Sequence, residues 1–573
     1  MPRREAAGLN PYPRRGSGGD TGMEESFDYV IVGAGSAGCI LANRLSEDGR
    51  YSVCVLEAGP PDRNPYIHIP AGFIKTLTNP ELTWAFPSEA TAWTGGRSIP
   101  LRTGRTLGGS SSINGHVYNR GQRADFDIWA QKGNTGWAYD DVLPYFNRSE
   151  TRSGASGRGQ DGALPVTDID WRHPLCDAFV AGVAGLGLPR NPDYNAGRQE
   201  GVGFYQRLIR GGRRVSSARA FLKPIRTRPN LTVRTDARVL RIIISEGRAS
   251  GLVYAHGPNL THTRSICARR EIILSSGTLN SPRLLQLSGI GPAPLLAELG
   301  LPLIHARAGV GENLQDHFAV RLVARIRGVD TINDRVRGPR LLWEGLRWLA
   351  RRPSILALNP SLAYVFAKSD PLLDDSDLQF TFTPASYREG SVGVLDDFSG
   401  VTCGAWQQRP ESRGHVRLRT PDPVQAPLVQ PNYLQHEHDR RVLVAGIRLA
   451  RSFLGTPEMA RYVEREELPG PQAQSDDELL DFARQRGSTV FHFTGTCRMG
   501  PASDPFAVVD PQLRLIGIDG LRIADASVMP DIPSANTNAA TLMIAEKAAA
   551  MIIAARTGHR ASGMSPSPMQ VAS

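Results

Sequence analysis

One stretch near the N-terminus constrains the fold of this chain more than any other. A short apolar β-type run, Val30–Val32, leads directly into the glycine-rich segment 33–38, which is followed by apolar residues at helical spacing. A second β-type run, Ser52–Leu56, ends in Glu57. Strand, glycine turn, helix, strand and acid in this order form the fingerprint of a dinucleotide-binding fold. We therefore predict a Rossmann-like α/β unit here.

Each position of the fingerprint has an expected role. Gly33 permits the tight turn, Gly35 permits close approach of a pyrophosphate, and Gly38 lets the helix pack on the strand. The helix N-terminus offers free N–H groups and partial positive charge to the diphosphate. Glu57 is expected to accept hydrogen bonds from a ribose 2′-hydroxyl, which argues against a 2′-phosphate. The cofactor-binding residues predicted from this stretch are Gly33, Gly35, Ser36, Ala37, Gly38 and Glu57.

Composition narrows the class of protein. The chain has 573 residues, which is long enough for more than one domain. Its hydrophobic content of 40% and charged content of 21% are typical of an ordinary globular protein. A net charge of +10 comes without an aromatic-interleaved basic stripe, so we expect no nucleic-acid partner. The six cysteines form no CxxC pair, which argues against a metal site and favours a reducing, cytoplasmic setting. No apolar run is expected to approach the length needed to cross a bilayer, and nothing in the sequence indicates the oligomeric state.

The two ends of the chain are expected to be irregular. Residues 1–25 are rich in Arg, Gly and Pro and carry no apolar signal-peptide region, so they are predicted to be disordered. Met23 is an alternative start. Residues 557–573 are predicted to form a flexible tail.

Two further glycine- and serine-rich stretches have the character of ligand-binding loops. Gly104–Asn114 contains two adjacent glycines and three serines, whose exposed N–H groups suit a flat or anionic ligand. Ser275–Gly291 follows the β-type run Glu271–Leu274 and repeats the strand–turn–helix order. Either stretch, taken alone, is equally typical of an ordinary turn.

Together these stretches resemble the glucose–methanol–choline (GMC) family of FAD-dependent oxidoreductases. Gly104–Asn114 is similar to the family's first signature and Gly277–Gly291 to its second. The C-terminal segments His492–Gly500, Leu521–Pro530 and Asn536–Asn538 resemble its catalytic end. The resemblance implies FAD in place of NAD. It also implies that a primary alcohol, aliphatic or aromatic, is oxidised to the aldehyde by hydride transfer to flavin N5.

The resemblance also implies a domain plan. The expected fold is α/β, and α+β overall: a Rossmann-like FAD-binding domain with a discontinuous substrate domain built on an antiparallel sheet backed by helices. The FAD-binding domain is expected from residues 26–160, 215–317 and 495–556. The substrate domain is expected from residues 161–214 and 318–494, in which 318–325 and 376–384 alternate as half-buried strands do.

The resemblance assigns the catalytic pair to His492 and Asn538. A neutral imidazole is suited to take the hydroxyl proton, and a carboxamide can hold the substrate oxygen. Asn536 and Asn538 equally suit capping of the apolar helix that follows them, which is predicted to be buried with its N-terminus at the site. The remaining positions that resemble the family's FAD contacts are Trp84, Gly108, Gly109 and Asn114 at the flavin ring, Val239 at the adenine, and Asp525 and Ala526 near the ribityl chain.

At three places the sequence departs from particular members of the family, and each departure disfavours one kind of chemistry. Ile113 stands where some choline-oxidising members carry the histidine that attaches FAD, so FAD is expected to be non-covalent. The stretch 360–364 lacks the carboxylate of choline dehydrogenases, which disfavours choline. Asn359 and Thr381 replace the Cys and Arg of fatty acid photodecarboxylases. A photodecarboxylase or lyase-type reaction on a carboxylic acid, and a non-catalytic flavoprotein, remain the alternatives.

Two questions about partners stay open at this stage. Oxygen and a quinone are both possible electron acceptors. The segment Arg340–Arg352 carries a Leu/Trp stripe at helical spacing between arginines. Such a stripe is more typical of a helix that faces the core, but it is also compatible with peripheral contact with a membrane, such as the inner membrane.

Overall fold

The computed structural model of the chain describes residues 25–257, 262–388 and 394–561. The predicted disordered segment lies outside this part of the chain, as does Met23, except that Glu25 already begins the first strand. Most of the predicted flexible tail also lies outside it, although the last helix continues to Ala561 rather than ending near residue 556.

The described residues form fourteen α-helices and twenty-five strands. The helices are Ser36–Leu45 (α1), Pro65–His68 (α2), Phe73–Thr76 (α3), Arg123–Gln131 (α4), Tyr139–Ser149 (α5), Pro174–Gly185 (α6), Ser281–Leu287 (α7), Ala293–Glu298 (α8), Ile332–Arg335 (α9), Gly338–Leu349 (α10), Glu437–Leu454 (α11), Pro457–Ala460 (α12), Asp476–Arg486 (α13) and Asn538–Ala561 (α14). The strands are Glu25–Val32 (β1), Val53–Leu56 (β2), Thr83–Pro87 (β3), Pro100–Gly104 (β4), Glu150–Thr151 (β5), Leu164–Pro165 (β6), Gly201–Phe204 (β7), Ile209–Arg210 (β8), Arg213–Arg214 (β9), Leu231–Arg234 (β10), Ala237–Ser245 (β11), Arg248–His256 (β12), His262–Leu274 (β13), Ile290–Gly291 (β14), His305–Ala306 (β15), Glu312–Leu314 (β16), Phe318–Ile326 (β17), Ala363–Ala367 (β18), Leu378–Thr383 (β19), Gly400–Gln407 (β20), Gly414–Arg417 (β21), Leu428–Gln430 (β22), Val463–Leu468 (β23), Ser488–Thr489 (β24) and Leu521–Ile523 (β25).

The first large sheet contains the predicted dinucleotide-binding unit. Its order is β10-β2-β1-β13-β12-β11, and β25 also pairs with β13. Strands β10, β2, β1, β13 and β25 run parallel, and their apolar residues are buried because helices cover the sheet. Parallel strands end at one edge, so the residues that follow β1, β2, β13 and β25 meet there.

The second large sheet is antiparallel, in the order β23-β17-β20-β19-β18-β7, with β24 also on β17. Helices α6 and α11 pack on it and enclose a second hydrophobic core. The predicted strands at 318–325 and 376–384 are confirmed as β17 and β19, although both are buried along most of their length. Phe86, Ile99 and Leu101, from the segment assigned to the FAD-binding domain, pack into this second core.

Helix α14 is a core helix of the first unit, as predicted. It packs against α1 and α5, and Glu546, fully buried, forms a two-point ion pair with Arg44. The sequence predicts no segment that is long and apolar enough to span a bilayer. This prediction is wrong, because Asn538–Arg556 is long enough and apolar enough, judged by its length and composition alone. More than half of that stretch is nevertheless buried inside the protein.

Helix α10 presents the opposite situation. Its Leu/Trp stripe, expected to face the core, lies on the outside of the molecule, and the buried side chain of the helix is Glu344. The sequence pattern thus predicted the amphipathic helix correctly but not its orientation.

Candidate active site

The glycine turn after β1 is packed so closely that only glycine fits at two of its positions. A Cβ atom on Gly33, whose φ is +101°, would lie 2.5 Å from the Ser275 carbonyl oxygen. One on Gly38 would lie 1.9 Å from the Gly33 carbonyl oxygen. A Cβ on Gly35 would lie 3.9 Å from the Gly109 Cα and the Ser275 carbonyl oxygen, and this glycine lines the cleft. The close contacts at Gly33 and Gly38 agree with the turn and packing roles expected of them, while the role of Gly35 toward a pyrophosphate stays a prediction.

The second glycine-rich loop, Gly104–Asn114, packs against the glycine turn that follows β1. The Gly108 N–H donates to the Ala34 carbonyl at 2.7 Å, and a Cβ on Gly109 would lie 2.7 Å from the Gly35 Cα. The Gly104–Asn114 stretch is thereby held against the N-terminus of α1, where four backbone N–H groups have no partner within the helix. Asn114, on the same loop, accepts a hydrogen bond from the buried Arg214 at 2.9 Å.

Glu57 lies at the bottom of the cleft that these loops border. Its Oε2 accepts from the Ala34 N–H at 2.8 Å and its Oε1 from the Gly59 N–H at 2.9 Å, and burial raises its pKa to about 7. Val239 and Trp84 line the same cleft. Gly109, which is predicted at the flavin ring together with Trp84, lines this cleft as well, so the placement of Trp84 at the ring stays a prediction.

Three arginines, none with a carboxylate at ion-pair distance among the described residues, make this cleft positive, although Asp422 offsets part of the charge of Arg238 and Arg283 from farther away. Arg238 and Arg283 line it, and the guanidiniums of Arg105 and Arg238 lie 5.1 and 5.0 Å from the centroid of the Trp84 ring. Burial and mutual repulsion lower the pKa of Arg238 to about 10 and that of Arg283 to about 9. The Nε atoms of Arg105 and Arg283 are buried without a described hydrogen-bond partner. An anionic ligand would satisfy both deficits.

Asp525 organises the loop after β13 rather than offering a free carboxylate. Its Oδ2 accepts from the Gly277 N–H at 2.8 Å and from the Ser281 hydroxyl at 2.6 Å, while its Oδ1 accepts from the N–H and hydroxyl of Ser527. Both oxygens are thus fully engaged, and Asp525 sets the position of Ala526 and of the glycine turn. Any contact with the ribityl chain then falls to the backbone of this segment.

A chain of hydrogen bonds runs from the Gln408 backbone carbonyl through His317 to His492. His317 Nε2 lies 2.8 Å from the Gln408 carbonyl oxygen, which can only accept, so this nitrogen carries a proton. In neutral His317 the other nitrogen, Nδ1, is therefore an acceptor. It lies 2.9 Å from His492 Nδ1, which must donate. The lone pair of neutral His492 is consequently on Nε2.

The contact between His492 and Asn536 agrees with a lone pair on His492 Nε2. Asn536 Nδ2 lies 3.1 Å from His492 Nε2 and donates to it. Gln379 Nε2 donates to Asn536 Oδ1 at 3.4 Å and to the Tyr205 hydroxyl at 2.7 Å, which orients both carboxamides. The lone pair of His492 therefore faces the amide of Asn536.

Burial keeps both imidazoles neutral. It lowers the pKa of His317 to about 4, and together with repulsion from His317 it holds the pKa of His492 well below its usual value of 6.5. Asp316 fixes the backbone here, since its Oδ1 accepts from the His492 N–H at 2.7 Å and its Oδ2 accepts from the Tyr433 and Thr489 hydroxyls. Phe491 just before it has φ of +65°, a strained conformation for a bulky residue and typical of functional sites.

Comparison with known proteins agrees with this geometry. Family models described as GMC oxidoreductase match residues 27–319 and 410–545, which together make up most of the chain. The chain belongs to the GMC oxidoreductase family. It is therefore an FAD-dependent oxidoreductase that acts on CH–OH donors, and nothing indicates a covalent link to the flavin.

Two relatives are similar over nearly their whole length. An alcohol dehydrogenase [acceptor] from Pseudomonas putida is 40% identical over 92% of this chain and 96% of its own. An oxygen-dependent choline dehydrogenase from Brucella ovis is also 40% identical, over 92% and 95%. Among solved structures, pyridoxine 4-oxidase from Mesorbium loti is 33% identical with a TM-score of 0.82, covering 93% of this chain and 99% of that one.

The position of Asn538 in this GMC enzyme corrects the predicted catalytic pair. Asn538 is the first residue of α14, and its Oδ1 accepts from the Ser36 hydroxyl at 2.8 Å at the N-terminus of α1. It is Asn536, in the turn before the helix, that reaches His492. The two carboxamides therefore contact different parts of the site. Asn536 contacts the His492 imidazole, and Asn538 contacts the glycine cradle, that is, the glycine turn at the N-terminus of α1.

Several site residues carry no signal in the sequence. His317 is one of twelve histidines and lies 175 positions from its partner. Gln379 lies within a buried strand, and Arg238 and Arg283 look like surface arginines in a basic chain. Within the part of the chain that the structure describes, no cluster of three His, Cys, Asp or Glu side chains could hold a metal ion.

The cleft fits FAD on its own chemistry. Free N–H groups at the start of α1 and the guanidiniums of Arg238 and Arg283, which have no carboxylate at ion-pair distance among the described residues, suit a diphosphate. The Glu57 carboxylate suits a ribose hydroxyl. The N-termini of α1 and α14 meet through Ser36 and Asn538, so two helix dipoles point their positive ends at the same region.

Proposed function

We propose that this enzyme oxidises an uncharged primary alcohol, aliphatic or aromatic, to the aldehyde, with His492 as the proton acceptor. The observation that carries the proposal is the directed chain from the Gln408 carbonyl through His317, which leaves the lone pair of His492 on Nε2 facing Asn536. An alcohol oxidation needs such a base beside a hydrogen-bond donor for the substrate oxygen.

Each side chain then has one task. When bound, FAD supplies the hydride acceptor. The alcohol hydroxyl would take the place of the amide contact on His492, donating its proton to Nε2 and accepting an N–H of Asn536. Gln379 keeps the Asn536 amide turned the right way. As His492 becomes a cation, its Nδ1–H donates more strongly to neutral His317, which stabilises the charge in a buried setting.

The surroundings of the base favour a substrate without charge. The described contacts of the His492 and Asn536 side chains are His317, Gln379 and the Trp406 ring, whose centroid lies 6.3 Å from that of His492. None is a carboxylate, and the neighbouring Asp316 carboxyl already accepts hydrogen bonds from the His492 N–H and from the Tyr433 and Thr489 hydroxyls. A quaternary ammonium brought here would be desolvated without a counterion, which is costly. Choline is therefore disfavoured, although choline dehydrogenases are among the relatives.

The proposal keeps oxygen and a quinone as candidate electron acceptors, because the name of one relative specifies oxygen and that of another specifies only an acceptor. It includes a cytoplasmic location, where the buried thiols of Cys39 and Cys54 would stay reduced. Anaerobic flavin reduction by a panel of alcohols, followed by reoxidation with air or with a soluble quinone, separates the acceptors.

Replacement of the base tests the proposal directly. His492→Ala should retain FAD and remain yellow, while the rate of flavin reduction by a good alcohol falls ~10²-fold or more. His415→Ala is the matched control, because His415 lies on β21, away from the chain described above. An unchanged rate in His492→Ala would remove the histidine from the mechanism.

The alternatives predict different spectra. An alcohol oxidoreductase is bleached by an alcohol in the dark and without oxygen. A photodecarboxylase or lyase acting on a carboxylic acid is not bleached by any alcohol, and turns over its acid instead. A non-catalytic flavoprotein responds to neither class of compound.

A further inference from the structure

Helix α10 turns an apolar face to solvent. Leu342, Leu346 and Leu349 follow one another at helical spacing on that face, with Trp343 beside them. Their exposed fractions are 70%, 52% and 67% for the leucines and 61% for the tryptophan. Surface leucines are common one by one, but a contiguous stripe of this kind marks an interaction surface.

The outward orientation is enforced by polar contacts on the opposite face. Glu344 is buried, pairs with Arg335 at 3.4 Å and accepts the Ile355 N–H at 3.1 Å. Trp348 Nε1 donates to the Gly212 carbonyl at 2.7 Å. Turning the leucines inward would break these contacts and bring the charge of Glu344 out of its partners' reach. The face is therefore a stable feature of the fold.

Arginines surround this face. Arg337, Arg351 and Arg352 are exposed, and the described residues supply none of them with a carboxylate at ion-pair distance. Arg340 pairs with the exposed Asp330 at 3.0 Å. The exposed Arg213 lies over the Trp348 ring at 4.8 Å. The border of the apolar stripe is thus strongly positive.

We propose that α10 docks this enzyme on the surface of an anionic lipid bilayer, lying in the plane of the interface. Leucines and a tryptophan on one side, with arginines at the border, are what a helix needs to insert its apolar face among acyl chains and pair its cations with headgroups. A second copy of the chain is a poorer occupant. In a two-fold interface the same face meets itself, which would bring the two sets of arginines together.

Vesicle sedimentation of the full-length, FAD-loaded enzyme tests this. The probes are vesicles of phosphatidylcholine mixed with phosphatidylglycerol, and vesicles of phosphatidylcholine alone. We expect the wild type to sediment with the mixed vesicles, more weakly with the neutral ones, and to be released by high salt. The triple variant Leu342→Ser, Trp343→Ser, Leu346→Ser should lose partitioning by about tenfold or more, and Arg351→Glu with Arg352→Glu by a similar factor.

The control is Leu372→Ser, which removes a leucine that is 90% exposed elsewhere on the surface and should leave sedimentation unchanged. Flavin reduction by a soluble alcohol should be the same in all these variants, which shows that they are folded. Since this readout does not involve lipid, the docking proposal and the proposed function fail independently.

Two outcomes would overturn the proposal. One is wild-type enzyme that stays in the supernatant with both kinds of vesicle, or that binds equally well after the triple substitution. The other is light scattering that shows a dimer in the wild type and a monomer in the triple variant without any vesicle binding, which would make the face a contact between copies.

Discussion

Removing His317 should slow catalysis without touching the substrate or the flavin cleft. The bond from His492 Nδ1 to His317 Nδ1, at 2.9 Å, is neutral at rest and becomes charge-assisted once Nε2 has taken the proton. Hydrogen bonds to charged groups contribute about 1 kcal/mol more than neutral ones, which corresponds to roughly fivefold in rate. His317 also excludes the tautomer that carries its proton on Nε2, and loss of that selection adds up to about another tenfold.

We therefore expect His317→Ala to reduce the rate constant for flavin reduction by ~5- to 50-fold, with FAD retained. His317→Asn provides the conservative comparison, because its Oδ1 can take the place of Nδ1 as the acceptor while the bond to Gln408 is lost. It should recover a large part of the rate. The assay is anaerobic stopped-flow spectroscopy at saturating alcohol, which observes the chemical step before any electron acceptor is involved.

The reasoning would be refuted by a His317→Ala rate within about twofold of the wild type. It would also be refuted if the alanine and asparagine variants were equally slow while both kept their flavin, because acceptance of the Nδ1 proton would then not matter.

Three other perturbations give distinct outcomes. Asn536→Ala should slow flavin reduction ~10- to 100-fold with FAD retained, whereas Asn538→Ala should chiefly weaken FAD retention; the reverse pattern would restore the original assignment. Burial holds the pKa of His492 well below 6.5, and the neutral form is the one expected to accept the proton. The rate of flavin reduction should therefore stay level as pH falls through 6.5 and decline only in more acidic buffer. A stopped-flow pH profile with its midpoint at 6.5 or above would contradict this. Gly38→Ala should lower the free energy of unfolding by about 3 kcal/mol or more and release FAD, since its Cβ meets a carbonyl at 1.9 Å, while Gly185→Ala, with open space around its Cβ, should be neutral or stabilise by up to about 1 kcal/mol in thermal unfolding.

The elements predicted correctly are those whose pattern is local. The β1–α1–β2 unit follows from alternation of apolar runs with glycines, and the packing of Gly33 and Gly38 shows why no other residue fits there. The buried helix after Asn538 follows from its alanine-rich composition. His492, whose catalytic role stays a prediction, was found from a motif whose residues are contiguous in the chain.

What could not be predicted depends on contacts between distant segments. Asn536 and Asn538 are chemically alike and two positions apart, and only the direction of the turn before α14 decides which one meets His492. His317 acquires its role from a carbonyl at position 408 and an imidazole at position 492. For α10, the pattern shows two unlike faces, but burial of Glu344 by Ile355 and Arg335 decides which face points outward.

The bond between Ser36 and Asn538 joins residues 502 positions apart and lies where the two helix N-termini converge. Because a ribosome releases the chain from its N-terminus, the cradle cannot close until Asn538 has emerged. Until then α1 and α5 expose the apolar surface on which α14 packs. We therefore expect a product truncated before α14 to capture no flavin and to be degraded rather than to act as a slow enzyme.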